Sequence, residues 1–485
     1  MRKQIIFRVN VKLVKTIKRQ EKTRICIRQG ETIKPGKYLR KFMKLRKPNA
    51  HLIFGLIILT LISAASAVNG QSQNRPAAEI YKEALDYVKE KSKELIGQGK
   101  KLNAETREDL AQEQKSLAKK YATELAARAD LKGTDFYYLG SLYNLTENDA
   151  KALEAMKKFL AAYPPETVGD AIQSARSYVV VLAAKQKQFA DAEQTFQTWL
   201  KGEPQMPKQR PAIEQSLAIS FYKDGKYDEA IKYGQSAFDN LKALEAATLA
   251  ERRAKMDLYG NLVEILALSY RKAKNTDQAL SVLAEGRALS FTIPSAKLYR
   301  KVMTVVSGSG FSEKKLMQKV ESYKTASAAP ELSIEEWLGQ DATTFESLRG
   351  KVVLLDFWAT WCGPCISTFP RLREWHKKYS PEGFTIVGVT QFYGEADGKK
   401  MTPLQETEFL GEFRKKHKLP YGFAVSKRGE DTAKYDINAY PTTVLLDRSG
   451  VIRYIGIGAG AEESENLEEM IKKLIKETNQ TAVNR

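Results

Sequence analysis

Cysteine and histidine are scarce in this chain, with three of each in 485 residues. Three cysteines are too few for a disulfide-stapled scaffold. A structural zinc site needs four ligands, and no second Cys/His pair stands near the one Cys-x-x-Cys, Cys362 and Cys365. Residues 76–320 contain neither residue type and few prolines. Acidic residues are nearly absent from the first fifty positions, which hold 17 Lys/Arg against 2 Asp/Glu. The net charge of +20 therefore belongs mostly to that leader, and nucleic acid is not an expected partner of the body. Long apolar runs are missing too. The longest, Leu52–Leu61, is ten residues, short of the roughly 18 that span a membrane.

That run has a meaning of its own. Lys44, Arg46 and Lys47 precede it and Ala65-Ser66-Ala67 follows it, the layout of a secretory signal peptide. Counted from Met43 the segment has an ordinary length, so residues 1–67 are read as a leader with Met43 as its true start and cleavage near Ala67. The expected location is exported, in a bacterial periplasm, with an uncleaved membrane anchor as the alternative.

Between 76 and 320 apolar residues recur at helical spacing. Phe136, Leu139, Gly140, Tyr143, Ala152 and Pro164 follow the W-x2-L-G-x2-Y…A…P pattern. Poorer copies run through Val179, Ala183, Ala192, Phe196 and Pro204. Another runs through Leu217, Ala218, Phe221, Tyr227, Ala230 and Ala237, with Asp224-Gly225 as a turn, and the last through Leu266, Ala267, Tyr270, Ala279 and Leu283. The stretch resembles tetratricopeptide repeats with irregular spacing. The resemblance implies a groove for a peptide or protein, or else a spacer or dimerisation module. Ser307-Gly308-Ser309-Gly310 interrupts the pattern, and 321–330 is read as a linker.

The last segment, 331–480, alternates strand and helix signals. Lys351–Phe357 and Phe384–Thr390 read as buried strands, Thr442–Leu446 and Val451–Ile457 as a later pair. Helices are expected from the cysteines to Tyr379 with a kink at Pro370, over 403–418, and over Glu462–Glu477. The expected fold class is thus multidomain, an all-α helical repeat followed by an α/β domain whose mixed sheet is covered on both faces.

VVLLDFWATWCGPC, the later Ala439-Tyr440-Pro441-Thr442-Thr443 and the lead-in Phe345–Lys351 together resemble the thioredoxin superfamily, in its exported TlpA/ResA-type branch. The resemblance covers Pro330–Glu477 and implies a thiol–disulfide oxidoreductase. Cys362, at a helix start, would have a stabilised thiolate and attack a substrate disulfide. Cys365 would then resolve the mixed disulfide, with Gly363-Pro364 setting the spacing. Asp356 matches the family's buried acid, its pKa raised by burial, and would take the Cys365 proton through water. The lysine that accompanies this acid in thioredoxins has no match, and Thr368 stands where the branch often has Glu. Pro441 matches the family's cis-proline, which packs opposite the cysteine pair; Tyr440 would pair with substrate backbone beside Cys362, and Pro441 and Thr442 are counted with it as substrate-binding. Trp358 and Trp361 would wall the site, with simple core packing as the other reading, more so for Trp358, and His376 and His417 are read as solvated.

No metal, nucleotide or organic cofactor is expected. Expected partners are disulfide-bearing proteins, a membrane electron donor, and a peptide or protein in the helical groove. The Gly-Pro dipeptide matches thioredoxin, at about −270 mV, and favours reduction. The rivals are an oxidant or isomerase on the same fold, or a repeat scaffold whose redox-type domain only holds a partner.

Overall fold

A computed structural model describes residues 75–477, apart from 101, 165, 166, 168 and 321–327. The leader, with Met43 and Ala67, lies outside the described residues. The chain divides into Met1–Gln71 and Ser72–Arg485, and all contacts given below lie within the second unit. No helix among the described residues is long and apolar enough to cross a membrane.

The unit begins with twelve described helices. Ten pack as successive hairpins: α1 (Ala77–Gly97) on α2 (Ala104–Ala126), α3 (Asp135–Leu145) on α4 (Asp149–Ala161), α5 (Gly169–Lys185) on α6 (Phe189–Lys201), α7 (Arg210–Lys223) on α8 (Tyr227–Ala243), and α9 (Leu249–Lys272) on α10 (Thr276–Thr292). Helices α11 (Ala296–Gly308) and α12 (Glu313–Val320) close the array. The four hairpins from α3 to α10 turn in the same way. Glu147, Lys187, Gly225 and Lys274 each adopt positive φ at the turn. The N–H of the next residue then bonds back to the carbonyl of Tyr143, Ala183, Phe221 or Tyr270, a helix-ending bond that consumes a free carbonyl. Ala152, Ala192, Ala230 and Ala279 follow these turns and are fully buried. At Gly140 a Cβ would stand 3.0 Å from Met156, so the absent side chain lets α3 and α4 close up. The spaced alanines and aromatics of the sequence are therefore hairpin core. The pair α1/α2, which precedes the spaced pattern, packs on α3.

The last part is a six-stranded sheet in the order β1-β6-β3-β2-β7-β8. Its members are β1 (Ile334–Leu338), β2 (Val352–Phe357), β3 (Phe384–Gln391), β6 (Phe423–Ser426), β7 (Thr442–Leu446) and β8 (Ile452–Ile457). A small hairpin, β4 (Glu395–Ala396) with β5 (Lys399–Lys400), lies apart from it. β3 runs parallel to β2 and β6, whereas β1, β7 and β8 pair antiparallel. All six residues of β2 are buried, which requires cover on both faces. One face carries α13 (Gly363–Tyr379), α14 (Pro403–Lys416) and α16 (Ala461–Lys476), through Phe369, Leu372, Phe413, Leu467 and Ile471 on Leu354 and Ile386. The opposite face, Val353, Leu355 and Phe357, packs with Tyr435, just after α15 (Glu430–Lys434), and with Phe291, Ala296 and Tyr299 of the helical array.

The two parts thus share a core. The Ala296 N–H donates to the Tyr435 carbonyl at 3.0 Å, and the Ser295 hydroxyl donates to Asp436 at 2.6 Å. Of the stretch 321–330, residues 328–330 are described. Ala328 bridges to Val451, the Ala329 N–H donates to Gly450, and Pro330 accepts from the Tyr435 hydroxyl. The strand and helix signals of the sequence fall within a residue or two of the elements found, and α13 continues through Pro370 as one helix. Strands β1 and β6 gave no signal. β6 is only four residues long, and β1 carries two glutamates on an edge with an irregular register.

Gly225 is the one turn residue of the four that adopts positive φ without a Cβ. Gly225→Ala should lower the denaturation midpoint, at a cost of about 1 kcal/mol. Lys274→Gly should leave it unchanged or raise it. Chemical denaturation of the two variants checks both.

Candidate active site

Strand β2 delivers the chain to the cysteines. Cys362 is the N-cap of α13, and Cys362 and Cys365 are joined by a disulfide. The Cys365 N–H donates to Cys362 Sγ at 3.2 Å, so one of the free donors at the helix start already points at that sulfur. Cys365 is wholly enclosed and Cys362 retains 5% exposure. Gly363 and Pro364 lie exposed on the surface beside them. This asymmetry makes Cys362 the sulfur that another molecule can reach.

Aromatic rings surround that sulfur's side of the domain. Trp361 is 64% exposed, and its ring packs edge-on against Tyr393 at 5.8 Å and Tyr440 at 5.9 Å. Tyr440-Pro441 is a cis peptide, as the resemblance implied. Thr442 opens β7 with its side chain 1% exposed, and its hydroxyl donates to the Ala439 carbonyl at 2.8 Å, which braces the turn. Trp358 is enclosed among Phe369, Phe413 and Phe423. The two histidines depart from the solvated reading. Both are half-buried, His417 against Phe413 at 4.3 Å and His376 near Tyr421, and burial lowers both pKa values.

Asp356 sits in β2 on the face that carries α13 and α16, because strand side chains alternate. It is 1% exposed, and neither carboxyl oxygen has a hydrogen-bond partner among the described residues. Burial alone pushes its pKa up to about 7. The polar group nearest in kind is Tyr421, whose buried hydroxyl is likewise unpartnered and feels the Asp356 charge. A cavity of about 20 Å³ adjoins Asp356, between Thr368 of α13 and Pro441, room for one water. A carboxyl poised near neutrality beside a water-sized space is suited to accept and return a proton.

Two residues of this site, Tyr393 and Glu406, carry no motif. Glu406, in the first turn of α14 and 3% exposed, accepts from the N–H groups of Tyr393 and Gly394 at 2.8 and 2.9 Å. It thereby holds Tyr393 against Trp361. Acidic residues are common in first helical turns, so sequence offered no way to single Glu406 out.

A buried acid behind a Cys-x-x-Cys at a helix start, with a cis-proline before the neighbouring strand, defines a thioredoxin-type oxidoreductase. The Redoxin family model matches residues 324–471. The thioredoxin-like protein YneN of Bacillus subtilis is 32% identical over 27% of this chain and 69% of its own length. The thiol-disulfide oxidoreductase ResA of Bacillus cereus is 30% identical over 36% of this chain and 92% of its own length. ResA of Oceanobacillus iheyensis is 33% identical over 28% of this chain and 67% of its own. Through this domain the chain belongs to the ResA-like thiol–disulfide oxidoreductases.

The raised pKa of Asp356 has a consequence for stability. A folded carboxyl that keeps its proton to about pH 7, against an ordinary 3.8, costs stability progressively as pH rises across that window, and most above it. Asp356→Asn should therefore melt with the parent near pH 4 and above it at pH 8. Thermal melts of the oxidised proteins across that range check the sign.

Proposed function

We propose that this chain is an exported enzyme that reduces disulfides of other proteins through the Cys362–Cys365 dithiol. The observation that carries the reading is the unequal exposure of the two sulfurs at one helix N-terminus. Cys362, as thiolate, attacks a substrate disulfide; one substrate sulfur leaves and a mixed disulfide remains. Cys365 gives its proton to Asp356 and attacks Cys362, which closes the protein disulfide and releases the second substrate sulfur. Trp361, Gly363, Pro364, Tyr440 and Pro441 form the contact surface, and the cis-proline turn offers backbone to an extended substrate segment. Thr442 acts by bracing that turn.

The leader ending near Ala67 supports export. In an oxidising compartment a reductant must itself be re-reduced, so a membrane electron donor is a further expected partner. The helix hairpins, read as tetratricopeptide-like, would offer a partner protein or peptide its docking surface. The Gly-Pro dipeptide, without histidine, favours reduction over oxidation.

The pure full chain should reduce insulin in the presence of dithiothreitol. Cys362→Ser should abolish this, and Cys365→Ser should accumulate mixed disulfides on non-reducing gels. Equal trapping by both variants would reverse the assignment of the nucleophile. Equilibration with glutathione decides direction: a potential above about −180 mV, the isomerase value, would favour the oxidant or isomerase.

A further inference from the structure

Asp356 can accept the Cys365 proton only when it holds none of its own, so a proton already on it must leave first, and its surroundings hold a route. Asp356 on β2 stands opposite Thr443 on β7, and Thr443 stands opposite Gly456 on β8. Residues directly opposite in antiparallel pairs share a face, so the three form one row across the sheet. Gly456 has no side chain, and other groups occupy that space. A Cβ there would meet Thr443 Oγ1 at 2.5 Å and Glu463 Oε1 at 2.8 Å. Glu463, from the first turn of α16, thus reaches into the row over Gly456. The Tyr454 hydroxyl donates to its Oε1 at 2.5 Å. Asp356, Thr443 and Glu463 all line the 20 Å³ cavity, and Glu463 is its second carboxyl. Gly458, also on the lining, is exposed to solvent.

We propose that Thr443 and Glu463 form a proton relay from Asp356 to solvent, through one water in this cavity. The proposal rests on Asp356 being the acceptor for Cys365. At resolution the Cys362–Cys365 bond forms, the bond from Cys362 to the substrate sulfur breaks with its electron pair leaving on that sulfur, and the Cys365 proton arrives on Asp356. The cavity water takes that proton and gives one to Thr443 Oγ, whose own proton passes to the Glu463 carboxylate. Glu463 then releases it to bulk water, and no electrons move in the relay. Several groups bear on Glu463: Tyr454 and the Ile457 backbone of β8, Tyr299 and Glu313 of the helical array, and Glu462 on its own helix; Arg287 acts on Tyr299 and Tyr454, and Arg371 shares the cavity wall. Burial is the largest influence and raises the Glu463 pKa, which suits a group that takes and passes on a proton.

The test is single-turnover reduction of insulin by the pre-reduced full chain, in weak buffer on either side of neutrality. It compares Asp356→Asn, Glu463→Gln, Glu463→Asp and Thr443→Val. Gln keeps the acceptor for Tyr454, and Val keeps the shape of Thr; thermal melts verify that each variant folds. Glu463→Gln and Thr443→Val should each slow resolution about threefold to tenfold, less than the roughly hundredfold loss of a general base. The loss should be steeper on the acid side and relieved by added formate, and Glu463→Asp should retain most of the rate. If Asp356→Asn is slow while both relay variants match the parent, the relay is wrong and the role of Asp356 stands. Slowing that is uniform with pH and indifferent to formate marks a structural effect and overturns the relay. An unimpaired Asp356→Asn overturns the acceptor and the relay together.

Discussion

Strand β2 lies between β3 and β7 with no residue open to water. Five of its six side chains are apolar and the other is Asp356. Both neighbours must pair with it and both faces must be covered, since an open face would leave those side chains in water. α13, α14 and α16 cover one side. They also bring Cys365 and a water-sized space to the face that holds the carboxyl. The position of the dithiol and the pKa of Asp356 follow from the same enclosure. A carboxyl in that layer, with no hydrogen-bond partner among the described residues, has burial as its dominant influence and keeps its proton to near neutrality.

The second face ties the helical array to the redox domain. Phe291, Ala296 and Tyr299 complete the core over Val353, Leu355 and Phe357. Enclosing a large aromatic side chain is worth about 2 kcal/mol, so two rings at this junction outweigh its few hydrogen bonds, worth about 1 kcal/mol each. Arg287 is buried there, its guanidinium over the rings of Phe291 at 4.7 Å and Tyr299 at 5.6 Å. The array is therefore part of the sheet's cover as well as a repeat structure, and the groups near Glu463 include some of its residues.

Much of this was legible in the residues. KVVLLDF marks a strand buried on both faces, because an apolar run without alternation has no solvent side. Cys-Gly-Pro-Cys directly after it marks a helix start with sulfurs one turn apart, and Tyr-Pro-Thr marks the facing turn. The recurring alanines mark hairpin cores, since only small residues sit where two helices nearly touch. Other features were not legible. Thr442 belongs to the motif, yet its hydroxyl turns inward to Ala439. His376 and His417 sit beside lysines, yet their rings lie against aromatics, because lysines reach water along their own stems while the ring packs down.

Sequence alone determined what is local: the strand and helix periods, the cysteine spacing at a helix start, and an acid inside an apolar strand. Each depends on residues close together in the chain, and so leaves a pattern there. Tertiary structure decided what depends on register and cover. Asp356, Thr443 and Gly456 align only because β7 pairs with both β2 and β8. Glu463 enters that row only because α16 crosses above a glycine, and Tyr393 meets Trp361 only because Glu406 holds the intervening backbone. These meetings are set by strand pairing and helix packing between residues distant in the chain, and no local pattern records them.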